Sequence, residues 1–296
     1  MQLLKTRHFS AYFSDTFSFF RANFHHLIAT FSRVLWPFLL IQGFAMFYQN
    51  EMSLESLNSF DQFDAFSNLG LATILYYVSS ILLSVFSYSF MPLYMQLHLR
   101  KGAGNFDHLD IWEGLKAQST RITYLILALI LVAIPAYITL GIVVLISLIT
   151  IFGFFIIIGF TYSYFQLLWF HHLNHNEHNP FDSLGETFKH YKDNFWAIVG
   201  STTILLFVFI AVFTSLFLAG TIFVTNIDFS DLDPNFINPE ELIEKFTTTH
   251  YVIFQIALYA LMFYVSLILQ IQQGLVYYSS QENQHNTSLN ESIDQF

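Results

Sequence analysis

From Ile122 to Phe170 the chain runs for 49 residues without a single Asp, Glu, Lys, Arg or His. As one helix, at 1.5 Å per residue, that stretch would be about 74 Å long, more than twice the roughly 30 Å thickness of a bilayer core. A water-soluble domain has no use for so long an uncharged run. It therefore has to fold back as two membrane helices joined by a short turn, placed between Pro135 and Gly153. The rest of the chain has the same character: of 296 residues, 54% are hydrophobic, 19% aromatic and only 11% charged, well outside ordinary soluble composition.

Hydropathy and charge spacing predict an all-α integral membrane protein with one membrane domain, residues 1–280. Six spans are expected at about 34–48, 71–99, 122–144, 148–170, 195–224 and 251–278, followed by a polar, disordered tail at 281–296. The N-terminal MQLLKTRHFSAYFSDTF has polar residues every few positions and no continuous apolar core. No cleavable signal peptide is expected there, so the first span is left to do the targeting.

The basic residues sort cleanly by side. Lys5, Arg7, Arg21, Arg33, Arg100, Lys101, Lys116, Arg121, Lys189 and Lys192 fall on the N-terminal side of the six-span layout, and Lys245 falls opposite. By the positive-inside rule both termini are expected in the cytoplasm, and the acidic loops Glu51–Asn68 and Asp228–His250 face outward. With a net charge of −10 and 11 cations, the chain lacks the clustered Lys and Arg that nucleic acid requires. The absence of cysteine removes disulfides and thiolate chemistry.

Three polar stretches on the cytoplasmic side share one pattern. Phe13/Phe17/Phe20/Phe24, Ile111/Leu115/Gln118/Ile122 and Leu184/Phe188/Tyr191/Phe195 recur at i, i+4, i+7 and i+11, the spacing of one helix face. Each has an early carboxylate (Asp15, Glu113, Glu186). The second and third begin with capping-box patterns, Asp110 to Glu113 and Ser183 to Glu186. Surface amphipathic helices are expected at about 10–30, 110–121 and 183–194. The whole then reads as three parallel repeats of a surface helix plus a transmembrane hairpin.

The densest chemistry is HHLNHNEHN, which offers His171, His172, His175 and His178. On a helix His171, His175 and His178 share a face, an arrangement able to hold Fe or Zn. Asn174, Asn176 and Pro180 signal that the helix ends inside the cluster, and a His-rich interfacial loop is the competing reading. Further histidines, His25, His26, His98, His108 and His190, lie on the same side. Asp228, Asp231, Asp233 and Asn235 have the look of a calcium loop. Counted from Asp231, however, the EF-hand's required Gly and Glu positions are occupied by Phe236 and Leu242. The spans hold no Asp, Glu, Lys or Arg, which argues against ion-coupled transport. Gln255 and Gln270 are the strongest polar groups of the last span, and Ala211/Ser215/Ala219 and Ser80/Ser84 form small-residue stripes suited to helix packing.

The opening LLKTRHFSAYFSDTFSFFRANFHHL, with an R-x-F…D-T-F-x-F-F pattern ahead of the first span, resembles a group of uncharacterised six-span inner-membrane proteins of Bacteroidetes type. Through them it distantly resembles the membrane domain attached to some glycerophosphoryl diester phosphodiesterases. The resemblance covers the whole layout and implies a bacterial inner-membrane location. The catalytic barrel of those phosphodiesterases has no counterpart here, so no hydrolase activity is carried over.

The function expected from these features is non-enzymatic: a multi-pass protein, without cofactor, that binds membrane lipid or a protein partner, another copy included, through its cytoplasmic surface helices. Two alternatives stay open. One is a metalloenzyme using Fe or Zn on His171, His172, His175 and His178 and acting on a lipid or carotenoid. The other is a permease for a neutral or apolar solute, which needs a cavity between the second, fifth and sixth spans.

Overall fold

The computed structural model describes residues 2–58, 62–147, 151–175, 179–192, 194–225 and 248–285. Among these the protein is all-helical, with no strand. The elements are α1 (Phe9–Asn58), α2 (Gln62–Lys101), α3 (His108–Ala117), α4 (Ser119–Ser147), α5 (Ile151–Asn174), α6 (Pro180–Thr187), a 3₁₀ turn (Phe188–Tyr191), α7 (Phe195–Thr225) and α8 (Thr249–His285). The uncharged run divides into α4 and α5, and its turn at 148–150 lies outside the described residues. The tail from 286 and the acidic stretch 226–247 also lie outside them.

Among the described residues five helices suffice, by length and composition, to cross a membrane: Phe9–Ser53, Leu69–Lys101, Gly153–Asn174, Phe195–Thr225 and Thr249–Gln284. A sixth is obtained if His108–Ala117 and Ser119–Ala133, bent by 62° where they meet, count as one. This is a multi-pass membrane protein.

The expected surface helix at 10–30 and first span at 34–48 lie within one continuous helix of 50 residues, α1, with Pro37 inside it. The stripe that packs inward is distinct from the phenylalanine face. Tyr12, Thr16, Phe19, Asn23, Leu27 and Phe31 are buried, whereas Phe17 and Phe24 are exposed. The polar members of the inward stripe satisfy themselves locally. Thr16 Oγ1 donates to the Tyr12 carbonyl at 2.5 Å and Asn23 Nδ2 to the Phe19 carbonyl at 2.9 Å. A polar side chain bonded to its own helix can face inward, while phenylalanine is equally content against lipid.

The three expected copies of the surface pattern take different settings. Ile111, Leu115 and Ile122 are buried, and in the third stretch Tyr191 is buried while Phe188 is exposed. Both expected capping boxes give way to earlier caps. Asp107 caps α3, its side chain accepting from the Leu109 and Asp110 N–H groups while Asp110 returns a bond to the Asp107 N–H. Asn179 caps α6, with Pro180 in the first turn. Ser183, expected as a cap, is therefore a buried interior residue of α6.

The helices form two compact units. One comprises Met1–Val34, Tyr88–Val208 and Ser266–Phe296, the other Leu35–Ser87 and Phe209–Val265. In the first, Gly159 sits where α5 meets α7. A β-carbon there would collide with Thr203 Oγ1 and lie 3.1 Å from Thr203 Cα. A hydroxyl can rotate away but a backbone atom cannot. Gly159→Ala should therefore lower stability by about 1–3 kcal/mol. Gly141→Ala in α4, where nothing lies within 4 Å, should be neutral or stabilising by up to about 1 kcal/mol. Thermal unfolding in detergent compares the two, and equal midpoints would disprove the close α5–α7 approach.

In the second unit Phe38 and Phe86 stack with centroids 3.9 Å apart. Gln42 Oε1 accepts from Ser79 at 2.6 Å and from Ser80 at 3.2 Å, so Ser80 of the expected stripe bonds across to α1. The Ala211/Ser215/Ala219 stripe does not; all three are exposed. Gly220 instead receives the Phe254 ring.

Candidate functional site

The C-terminal end of α5 carries the histidines, and helix geometry splits them. His171 and His175, one turn apart, stack with ring centroids 4.3 Å apart and 22° between planes. His172, about 100° round the helix, points elsewhere. Its Nδ1 is 2.9 Å from Ser183 Oγ and its Nε2 3.2 Å from the Arg121 carbonyl, so it ties α5 to α6 and to the start of α4. His178 lies outside the described residues. The four candidate metal ligands thus do not converge as one described set, and among the described residues no trio of His, Asp or Glu is placed to hold a metal ion.

A different histidine completes the cluster. His190, on the 3₁₀ turn, places Nε2 3.2 Å from His171 Nδ1 and Nδ1 2.9 Å from Ser280 Oγ of α8. His175 Nδ1 lies 3.2 Å from the Tyr277 hydroxyl, also on α8, and 3.2 Å from the His171 carbonyl. His171 and His190 are both buried. Burial first, then the neighbouring His171 and His175, push the His190 pKa down to about 3. His190 is therefore held neutral. Two proton arrangements satisfy it: Ser280 donates to His190, which donates to His171, or every bond runs the other way. Such a chain joins α5, the 3₁₀ turn and α8 by hydrogen bonds that run through a neutral His190. Glutamine does related work nearby, Gln273 Nε2 donating to Thr202 Oγ1 at 2.8 Å, and Gln270 Nε2 reaching Ser266 within its own helix at 3.3 Å. The pairing of His190 with His171 spans a turn and a short helix, and spacing within α5 cannot reveal it.

Among the described residues each unit also contains a cavity. In the first unit an opening of about 500 Å³ lies between α4 and α6, walled by Tyr124, Leu127, Ala128, Leu131, Asn179, Pro180 and Phe181. In the second unit an open cavity of about 550 Å³ is lined by side chains of four helices. α1 contributes Met46, Gln49, Asn50 and Ser53, and α2 contributes Tyr76. α7 supplies Phe213, Thr214 and Phe217, and α8 supplies Gln255, Leu258, Tyr259 and Met262. Its lining has amides, hydroxyls, thioethers and rings, and no Asp, Glu, Lys, Arg or His.

No protein-family model, no curated protein and no solved structure matches this chain.

Proposed function

We propose that this is a non-enzymatic, six-span protein of a bacterial inner membrane, with both termini cytoplasmic, that binds membrane lipid beside its surface helices. The observation that carries the reading is the opening between α4 and α6. Its α4 wall, Tyr124, Leu127 and Leu131, belongs to a helix with no charged residue from Ile122 to Ser147, and all three side chains are exposed. In a membrane an acyl chain can cover that wall. Arg121, whose Nη1 also donates to the His175 carbonyl at 3.1 Å, stands one turn before Tyr124, where a phosphate headgroup would lie, and α6 lines the far side.

Charge supports the orientation. All ten described Lys and Arg residues belong to the first unit, and the eleventh, Lys245, is the lone cation in the second unit's stretches of chain. Element order supports the repeat: a short helix followed by two long ones occurs as α3, α4, α5 and again as α6, α7, α8, with α1 serving as both surface helix and span in the first copy.

The test is lipid retention. Detergent-purified protein should keep a phospholipid adduct through washing, detected by native mass spectrometry. Leu127→Trp, which fills the opening from an exposed position, should reduce the adduct about tenfold, whereas Leu216→Trp on the exposed face of α7 should leave it. Undiminished retention by Leu127→Trp would refute the site.

A further inference from the structure

We infer that the cavity of the second unit receives the polar head of an uncharged lipid, one that presents hydroxyl or ester groups, with the amides of Gln49 and Gln255 as its recognition groups. The lining contains no ionisable acid, ammonium or imidazole. A charged head would therefore enter without a partner, at a large desolvation cost. An amide offers donors and an acceptor together, which suits a hydroxyl or an ester carbonyl.

Gln42 shows what a packing glutamine looks like in this unit, with its oxygen held by Ser79 and Ser80. Gln49 and Gln255 differ. Among the described residues neither side chain is committed to another protein group, and both face the cavity. Met46, Phe213, Leu258 and Met262 supply apolar wall for the start of the chains. Entry favours a lipid over a water-borne solute. Thr214 and Phe217 line the cavity from α7 and are themselves exposed, on a helix with no charged residue from Phe195 to Thr225.

A diacylglycerol and a glycosylated diacylglycerol share this chemistry, and the experiment separates them. Full-length protein in nanodiscs is titrated with dioleoylglycerol, with monoglucosyl dioleoylglycerol and, for comparison, with dioleoyl phosphatidylglycerol. At least one neutral lipid should bind, with affinity unchanged between about 50 and 500 mM salt, because no ionic contact is made. Gln255→Leu should weaken it roughly fivefold, and the double change with Gln49→Leu about twenty-five-fold. Thr214→Trp, which fills the cavity from an exposed position, should abolish binding and serves as a second variant should the glutamine changes unfold the chain. A preference for the glucosylated lipid assigns the site to a sugar, and equal binding of both assigns it to the glycerol ester.

Leu127→Trp should leave neutral-lipid binding intact, so loss of the phospholipid adduct and loss of neutral-lipid binding report separately on the two sites. Failure of both neutral lipids to bind, tighter salt-sensitive binding of phosphatidylglycerol, or full affinity in Gln255→Leu and Thr214→Trp would each overturn the assignment.

Discussion

Truncating Arg7 to alanine is expected to destabilise the protein by about 3–5 kcal/mol, the cost of breaking one side of an enclosed ion pair. The Arg7 side chain is fully buried. Its Nε donates to Asp15 Oδ2 at 2.9 Å, Nη1 to the carbonyls of Leu3 at 2.8 Å and Lys5 at 3.0 Å, and Nη2 to the carbonyl of Gln2 at 2.7 Å. The segment before α1 is thus wrapped around the guanidinium, and the Arg7 N–H fastens it to α8 by donating to Ser279 Oγ at 2.9 Å. Alanine would leave three carbonyls and a largely enclosed carboxylate without their donor. Lys5, 3.8 Å from Asp15 and half exposed, cannot replace a charge held away from water. Arg7→Lys keeps the charge but loses the planar fork and should recover less than half of the deficit. Thermal unfolding in detergent at pH 7 measures both. A melting point for Arg7→Ala within 2 °C of the parent, or a fully stable Arg7→Lys, would show that the clasp does not hold the fold.

That clasp also shows where reading the sequence reaches its limit. Arg7 counts as a cation when topology is argued from charge, and nothing near it announces a buried hub, because its partners include backbone carbonyls and a serine 272 positions away. The helices themselves were legible, since a run of apolar residues bounded by charges satisfies its backbone in lipid only as a helix. Their inward faces were not. In water, periodicity distinguishes a buried stripe from a wet one. In a bilayer both sides of a helix are apolar, so the Phe13/Phe17/Phe20/Phe24 spacing carried no information about which stripe packs. The structure buries Tyr12, Thr16 and Phe19 and leaves Phe17 and Phe24 exposed. The caps were missed by one turn for a local reason: Ser183 and Asp110 have the right chemistry, but Asn179-Pro180 and Asp107, each a turn earlier, start the helix first. Of the histidines, the i, i+4 pair His171/His175 followed from helix geometry, while His190 arrived through tertiary structure. The second unit's cavity draws on residues of four helices, of which the sequence had marked Gln255 and Tyr76 as unusual.

The histidine network sets the second large effect, a loss of stability in mild acid. His190 has an ordinary pKa near 6.5 when unfolded and about 3 when folded, chiefly because it is buried. Above pH 6.5 neither state is protonated and folding is unaffected by pH. Below it the unfolded chain takes up a proton that the folded chain refuses, so stability falls by at most about 1.4 kcal/mol per pH unit until the folded pKa is reached. Between pH 7 and pH 5 this amounts to about 2 kcal/mol. The surrounding groups do not offset it. His171 and His175 on α5 add repulsion to a charged His190, and Ser280 and Tyr277 on α8 are neutral. Glu186 is exposed and is held below the usual carboxylate range mainly by its hydrogen bond to Lys189, so its own loss begins only below about pH 4.5. His190→Gln retains an amide able to bond Ser280 and removes the proton site. The parent should melt several degrees lower at pH 5 than at pH 7, and the variant should show less than half of that shift. A parent whose melting point is flat across this interval, or a variant with the same acid slope, would mean that the network tolerates a charged imidazole. α5, the 3₁₀ turn and α8 would then be joined by packing rather than by this hydrogen-bond chain.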